Sequence, residues 1–308
     1  MQSSASMCQT SADTSLHDLL EVERLMASVV ESGDEAGAQA MSVAKVAAFY
    51  HLNSGGQRIR SRLALDSAHC LGLTARDGIV LAATAELLHN ASLIHDDLQD
   101  RDQIRRDCAT VWVAYGDEVA ICAGDLLMSA GYAAVACVSC VDMLPLLVKL
   151  VHSRITQAIG GQCAEFSPAS VHSINTDRYL KIATAKSGAL LGLPVELALL
   201  AGGYHGALHV TRATADSFAA GYQIYDDLCD FEIDLARDAV APVLNIVLVL
   251  QKNNALSIHD AWKSAQKLGL MHLEAAAASS TDLPRQSGRL FREMANDLHA
   301  RLKDKCIQ

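Results

Sequence analysis

Six aspartates stand in two identical patterns. Asp96, Asp97 and Asp100 close a mostly apolar run that begins at Leu87, and Asp226, Asp227 and Asp230 close a second run that begins at Ala219. On an α-helix, positions i and i+4 share a face and i+1 lies about 100° away, so each trio crowds one end of a helix. Carboxylates this close repel one another unless cations sit among them. Hard oxygen ligands suit Mg²⁺, which keeps several waters and bridges to substrate phosphates. A solvated acidic helix end would account for one trio about as well. Two copies, one in each half of the chain, favour two helices facing each other across a cavity with a metal-diphosphate site at its mouth.

The elements that must position these acids read as helices throughout. Helical spacing runs through Leu16 to about Ser32 and through Ala38–Tyr50, and the glycines Gly55 and Gly56 follow. The next helix opens near Arg58, Arg60 and Arg62 and continues through Leu63–Leu71. Thr74 or Asp77 is expected to cap the helix that leads to Asp96. Arg101–Thr110 reads as a polar loop, Val111–Val141 as one or two long helices, and Met143–Gly160 as another. Gly160-Gly161-Gln162 is expected to kink or break that helix. A helix from Asn175-Thr176-Asp177 passes Lys186, and Pro194 is expected to interrupt it. Thr214–Leu228 carries the second trio, and Pro242–Leu250, Ser257–Leu268, Leu270–Ala278 and Gln286–Leu302 read as further helix. No strand alternation of useful length and no nucleotide-binding glycine fingerprint appears. The expected fold is an all-α bundle of roughly ten helices around an apolar cavity. Residues 1–14 are expected to be loosely attached or disordered, and 15–308 to form a single domain.

Composition narrows the function. Fifty-one per cent of the 308 residues are hydrophobic, enough for a large core. A formal net charge of −10 argues against a general nucleic-acid binder. Nine cysteines lie scattered, most within apolar stretches, and read as buried reduced thiols of a cytoplasmic protein; Cys137 and Cys140 read as core packing. The longest apolar run, Leu126 to Val141, falls short of the ~20 residues that cross a bilayer, and no signal peptide is apparent, so no transmembrane segment is expected.

With both aspartate trios in place, the chain resembles the trans-isoprenyl diphosphate synthases, or polyprenyl synthetases. The likeness runs from about residue 50 to residue 250. It includes Gly55-Gly56-Gln57-Arg58-Ile59-Arg60, Glu86-Leu87-Leu88-His89, Arg105-Arg106, Ala123-Gly124-Asp125, Lys186-Ser187 and Gln223. The resemblance implies an isoprenoid-synthase-type bundle, and a homodimer. Its metal ligands would be Asp96, Asp97, Asp100, Asp226, Asp227 and Asp230, which together hold about three Mg²⁺ ions, with Mn²⁺ a possible substitute. Substrate diphosphates would be bound by Gln57, Arg60, His89, Arg105, Arg106, Lys186 and Gln223, with Lys186 also catalytic. Gln162, after its glycine pair, could be functional or a solvated polar position, and His95 reads as structural.

The implied reaction joins isopentenyl diphosphate to an allylic diphosphate. Metals and cationic side chains draw off the allylic diphosphate, and the double bond of isopentenyl diphosphate attacks the allylic cation. In the family, bulky residues four and five positions before the first aspartate stop chain growth. Here these are Ser92 and Ala91, both small, and Leu88 and Leu87 lie one turn further, so a product of about C20, geranylgeranyl diphosphate, is expected. The chain also departs from the pattern. Gln57 stands where the family usually has Lys, Asp107 where it has Gly, and the stretch Phe231–Asp238 lacks a lysine that many members carry. A terpene cyclase-like enzyme that ionises one prenyl diphosphate, or a non-catalytic regulatory subunit of a prenyl synthase, are the alternatives. Gln57 leans toward the cyclase and Arg60, His89 and the arginine pair lean against it; six intact aspartates lean against the non-catalytic subunit.

Overall fold

The computed structural model describes residues 3–32, 42–165, 174–238 and 243–306, with side chains described from residue 16 onward. The expectation of a loose N-terminus falls on residues whose side chains lie outside that set. Fourteen helices and one small hairpin are described. They are α1 (Ser3–Glu31), α2 (Val43–Asn53), α3 (Ile59–Leu71), α4 (Ala75–Asp100), the hairpin β1 (Ile104–Arg105) and β2 (Cys108–Ala109), α5 (Val111–Tyr115), α6 (Asp117–Val135) and α7 (Leu144–Glu165). There follow α8 (Thr176–Ala183), a π-helical turn at Thr184–Gly188, α9 (Ala189–Ala201), α10 (Leu208–Cys229), α11 (Phe231–Asp238), α12 (Ile246–Asn254), α13 (Ile258–Ser279) and α14 (Arg289–Lys303). The described residues are all-α apart from that hairpin.

Two compact units are present, residues 1–151 with 200–203, and residues 152–199 with 204–308. In the first, α4 is the central helix and packs against α1, α3 and α6. Its N-terminus is set by Thr74, whose side chain accepts from the Asp77 N–H. Leu81, Leu87, Ala91 and Ile94 are fully buried, on a helix apolar nearly all round, as a core helix must be. Each such leucine contributes about 1.5–3 kcal/mol by leaving water. The neighbouring α6 meets α4 with small residues. A Cβ at Gly131 would lie 2.6 Å from Leu88 Cδ2, so only glycine admits that leucine.

In the second unit, α10 packs against α13, α14 and the π turn. Asn175 caps α8 by accepting from the Arg178 N–H, as the pattern there predicts. A buried ion cluster helps hold this unit: Arg154 Nε and Nη2 donate to Glu196 at 2.5 and 2.8 Å, and Arg212 Nε donates to the same carboxylate at 3.0 Å.

Several boundaries differ from expectation. Gly160-Gly161 does not break α7, which runs on to Glu165. Gly161 instead serves close packing: a Cβ there would sit 2.5 Å from the Lys186 backbone nitrogen. Pro194 lies inside α9 without ending it, and Gly269 lies within α13, which is one helix rather than two. The loop after α4 pairs briefly as strands, because Arg106-Asp107 makes a tight two-residue turn. The described cysteines are not core residues: Cys108, Cys122, Cys137, Cys163, Cys229 and Cys306 are exposed, and Cys70 and Cys140 are half-buried, while the side chain of Cys8 lies outside the described set. On α6 the helical period turns Cys122 outward although its neighbours are apolar. Two stretches, Asp117–Val135 and Thr176–Ala201, are long and apolar enough to cross a membrane; the apolar window of the second is 78% buried inside the protein, as in a core helix, and that of the first 44%.

Candidate active site

In the first unit the acid trio ends α4. Asp97 is buried, Asp96 half-buried and Asp100 exposed. The hairpin then turns back over this helix end. Its central residues, Arg106 (φ 54°) and Asp107 (φ 62°), are both left-handed, as a type I′ turn requires. Asp is among the few non-glycine residues that tolerate this, which accommodates the departure at position 107. The turn directs Arg105 at the acids, where its Nε donates to Asp97 Oδ1 at 2.6 Å. Arg106 donates to the Gly55 carbonyl. A Cβ on Gly56 (φ 129°) would lie 2.8 Å from Arg106 Cζ, so the second glycine of that turn makes room for the guanidinium. Arg58, itself left-handed (φ 51°), donates from Nη2 to the Leu52 carbonyl at 2.9 Å. The carbonyl end of α2 and the turn after it thus collect two guanidinium groups, as a helix C-terminus favours.

Behind these cations lies a buried carboxylate. Glu86 accepts from the Ser61 N–H at 3.1 Å and the Ser61 hydroxyl at 2.9 Å, and stands 3.7 Å from Arg58 Nη1. One turn on, Asn90 donates from Nδ2 to the Glu86 carbonyl at 2.8 Å. His51, on α2, is buried among the same groups. Burial and then the charges of Arg106 and Arg105 push its pKa down to about 3, with the Asn90 side chain working the other way. His89 is held well below the usual imidazole range by burial, then by Arg60 and Arg106. Burial, Arg58 and Arg105 lower even the Arg106 guanidinium. Burial is the first cause in all three, and the neighbouring guanidiniums come second; the arginines gathered here give the place a positive character suited to an anion. Asp97 shows the opposite balance: burial raises its pKa, against the pull of Arg105.

Gln57 is exposed and Arg60 half-buried at the start of α3. His95 turns from the acids toward α6, with Nε2 3.5 Å from the Ile121 carbonyl and 3.6 Å from Asp125 Oδ1. Gly124 makes room for that ring, since a Cβ there would lie 2.2 Å from His95 Nε2. This explains Ala123-Gly124-Asp125 as packing.

In the second unit the trio ends α10. Asp226 and Asp230 are exposed and Asp227 is buried. Asp227 Oδ2 accepts from the Tyr179 hydroxyl and the Ile246 N–H, both at 2.7 Å, and Oδ1 accepts from Gln223 Nε2 at 2.9 Å. Burial nonetheless raises its pKa to about 7. Burial, then Asp230 and Asp234, raises Asp226. Asn245 ties the end of α10 to α11, donating to the Asp227 carbonyl at 2.8 Å and to Asp234 Oδ2 at 3.0 Å. Lys186 lies half-buried in the π turn, a departure from regular helix that often accompanies functional positions. Gln162 is buried, and neither of its amide atoms has a partner among the described residues.

Sequence reasoning missed His51, Asn90, Tyr179 and Asn245. Glu86 and Asn90, at i and i+4 on an otherwise apolar helix, were a legible polar pair; Tyr179 and Asn245 reach Asp227 only through tertiary contacts.

Among the described residues no three His, Cys, Asp or Glu groups converge closely enough to hold a metal ion alone. The donor set still fits Mg²⁺, which commonly takes one or two carboxylates and completes its shell with water and substrate phosphate. Asp100, Asp226 and Asp230 are exposed and Asp96 is half-buried, whereas Asp97 and Asp227 are buried and engaged with protein donors.

The model of the polyprenyl synthetase family matches residues 42–238, and the chain belongs to that family. A (2E,6E)-farnesyl diphosphate synthase of Mycobacterium tuberculosis is 33% identical over 178 residues, covering 57% of this chain and 49% of that protein. A geranylgeranyl diphosphate synthase of Cyanophora paradoxa is 34% identical over 189 residues, covering 59% and 63%. The matched segment thus spans about half the length of the mycobacterial relative. The fold is similar to that of a geranylgeranyl pyrophosphate synthetase from Geoglobus acetivorans, with a TM-score of 0.79 at 21% identity over 92% of this chain and 97% of that one.

Proposed function

We propose that this protein is a Mg²⁺-dependent prenyltransferase that condenses isopentenyl diphosphate with an allylic diphosphate to give a linear trans-prenyl diphosphate of about C20. The observation that carries this reading is the junction of Arg105 with Asp97, which places an anion-attracting arginine and histidine cluster directly beside a carboxylate trio. An enzyme with two diphosphate substrates needs both.

Mg²⁺ bound between carboxylates and substrate would neutralise the departing diphosphate. In the first unit Asp96 and Asp100, and in the second Asp226 and Asp230, would supply protein ligands to such ions. Asp97 and Asp227 would keep the trios in place through Arg105, Tyr179, Gln223 and the Ile246 N–H. Gln57, Arg60, His89, Arg105 and Arg106 would bind diphosphate oxygens, with guanidinium forks matched to phosphate geometry. Lys186 would place a cation near the leaving group. The related synthases of M. tuberculosis and C. paradoxa support the reaction class, and they differ in product length by name. Exposed Ile121, Val141 and Leu146 support a homodimer, and we place the protein in the cytoplasm.

Replacing Asp96 or Asp226 by Ala tests the metal role. Turnover should fall by orders of magnitude with the fold intact, because removing one of several repelling carboxylates relieves strain rather than adding it. Unchanged turnover in Asp96→Ala would rule the role out.

A further inference from the structure

We propose that Asp216 is a positioning residue for Lys186: its carboxylate, on α10, braces the π turn that presents the lysine amine to the departing diphosphate. This rests on the diphosphate-binding reading of Lys186.

Lys186 stands in the middle of the π turn Thr184–Gly188. Such a turn takes one residue more than a turn of α-helix and is rare for that reason. Relaxation to α geometry would swing its side chains round the axis by up to about 100°, the angle of one residue. Whatever holds the turn therefore also aims the lysine. Two contacts within the second unit hold it. On one side is Gly161 of α7, where a Cβ would sit 2.5 Å from the Lys186 nitrogen and 2.8 Å from the Ala185 carbonyl carbon. On the other side α10 lies against Gly188, where a Cβ would sit 2.8 Å from Asp216 Oδ1 and 3.4 Å from Asp216 Cα. The turn is clasped between α7 and α10, and its nearest neighbour on the α10 side is a carboxylate.

That carboxylate is itself held by charge. Arg154 and Arg212 both donate to Glu196, and the attraction of the two guanidiniums reaches Asp216. Arg154 is 5% exposed and Glu196 1%, so the cluster is a fixed part of the core. Asp216 brings it a second carboxylate to match its second cation. A cavity of about 30 Å³ among Asp216, Gly188, Arg154 and Gln157 has room for a water molecule, with donors and acceptors on its walls. Buried ion clusters add little net stability, because desolvation offsets attraction. What this one supplies is direction: it fixes Asp216 over Gly188, and so fixes the turn two residues from Lys186.

The test is calorimetric titration of geranyl thiolodiphosphate, an unreactive allylic analogue, with Mg²⁺ present. The proteins are the wild type, Asp216→Ala, Asp216→Asn, Lys186→Ala and the double variant Lys186→Ala/Asp216→Ala. Thermal unfolding checks the fold of each, and Asp216→Asn takes the place of Asp216→Ala throughout if the latter does not fold. Lys186→Ala should bind about tenfold more weakly, the range for losing a hydrogen bond to a charged group. Asp216→Ala should lose nearly as much with the lysine still present, and Asp216→Asn, which keeps the shape of the brace, should lose less. In the Lys186→Ala background the removal of Asp216 should cost nothing further, the non-additivity of groups that act as one. Affinity for isopentenyl diphosphate should be the same in every variant, which a general loosening of the fold would not allow. Wild-type affinity for the analogue in both Asp216 variants, or an equal loss with and without Lys186, would overturn the inference and leave the diphosphate reading of Lys186 standing. Wild-type affinity in Lys186→Ala would overturn both.

Discussion

Arg105 Nε donates to Asp97 Oδ1 at 2.6 Å, joining the hairpin to the acidic end of α4. The Asp97 side chain is 1% exposed and that of Arg105 29%. Asp97 therefore has little water to fall back on, and its other oxygen has no partner among the described residues. Removing Arg105 strands a buried carboxylate. Arg105→Ala is expected to cost about 1–3 kcal/mol, below the figure for a fully buried pair because Arg105 is partly solvated. Urea unfolding at pH 7 without metal measures this. The double variant Arg105→Ala/Asp97→Asn should recover much of the loss.

Asp227 gives a pH signature. Its pKa is about 7 when folded, above the usual carboxylate value near 4 when unfolded. Between those values the native state binds more protons than the unfolded chain. Stability contributed by this group is full below about pH 4 and is lost as pH rises through about 7. Metal-free Asp227→Asn should remove that part of the decline, as read by the denaturation midpoint from pH 4 to pH 8. An identical profile in wild type and variant would mean that Asp227 ionises normally in the fold.

Gly161 is predicted to be a packing residue. Gly161→Ala gains helix propensity of about 1 kcal/mol. It also drives a methyl group to 2.5 Å from the backbone nitrogen of Lys186, which cannot rotate away. Net destabilisation of about 1–3 kcal/mol is expected. Turnover should fall further than stability alone explains, because Lys186 moves with its backbone. A thermal melt and a kcat measurement on the same preparation separate the two effects.

Product length should respond to Ser92. Ala91 is fully buried, whereas Ser92 is half-buried and has more room for a larger side chain. Leu88 rests against Gly131 of α6, which leaves Leu87 as the other large residue one turn up. Ser92→Phe is expected to shift products to C15 or shorter. An unaltered distribution would show that the prenyl tail does not pass this face of α4.

The all-α class was legible because apolar spacing and the scarcity of Pro agree along most of the chain. The aspartate trios were legible because i, i+1, i+4 spacing has a direct helical meaning. Pro194 and Gly161 were misread as breaks, since local propensity is overridden where tertiary packing fills the space. The cysteines were misread because an apolar neighbourhood in sequence does not specify which side of a helix faces out. The surroundings of His51 could not be read from sequence, because only the fold of α2, α4 and the hairpin brings three arginines and Asn90 around it.

The central claim is condensation of two diphosphates, and product analysis by mass spectrometry addresses it most directly. Purified protein with Mg²⁺ and an allylic diphosphate is incubated with and without isopentenyl diphosphate. The account predicts linear prenyl diphosphates longer by five-carbon units only when isopentenyl diphosphate is present, with C20 the main product. Cyclised or hydrolysed products formed equally without it, or no product under either condition, would contradict the account.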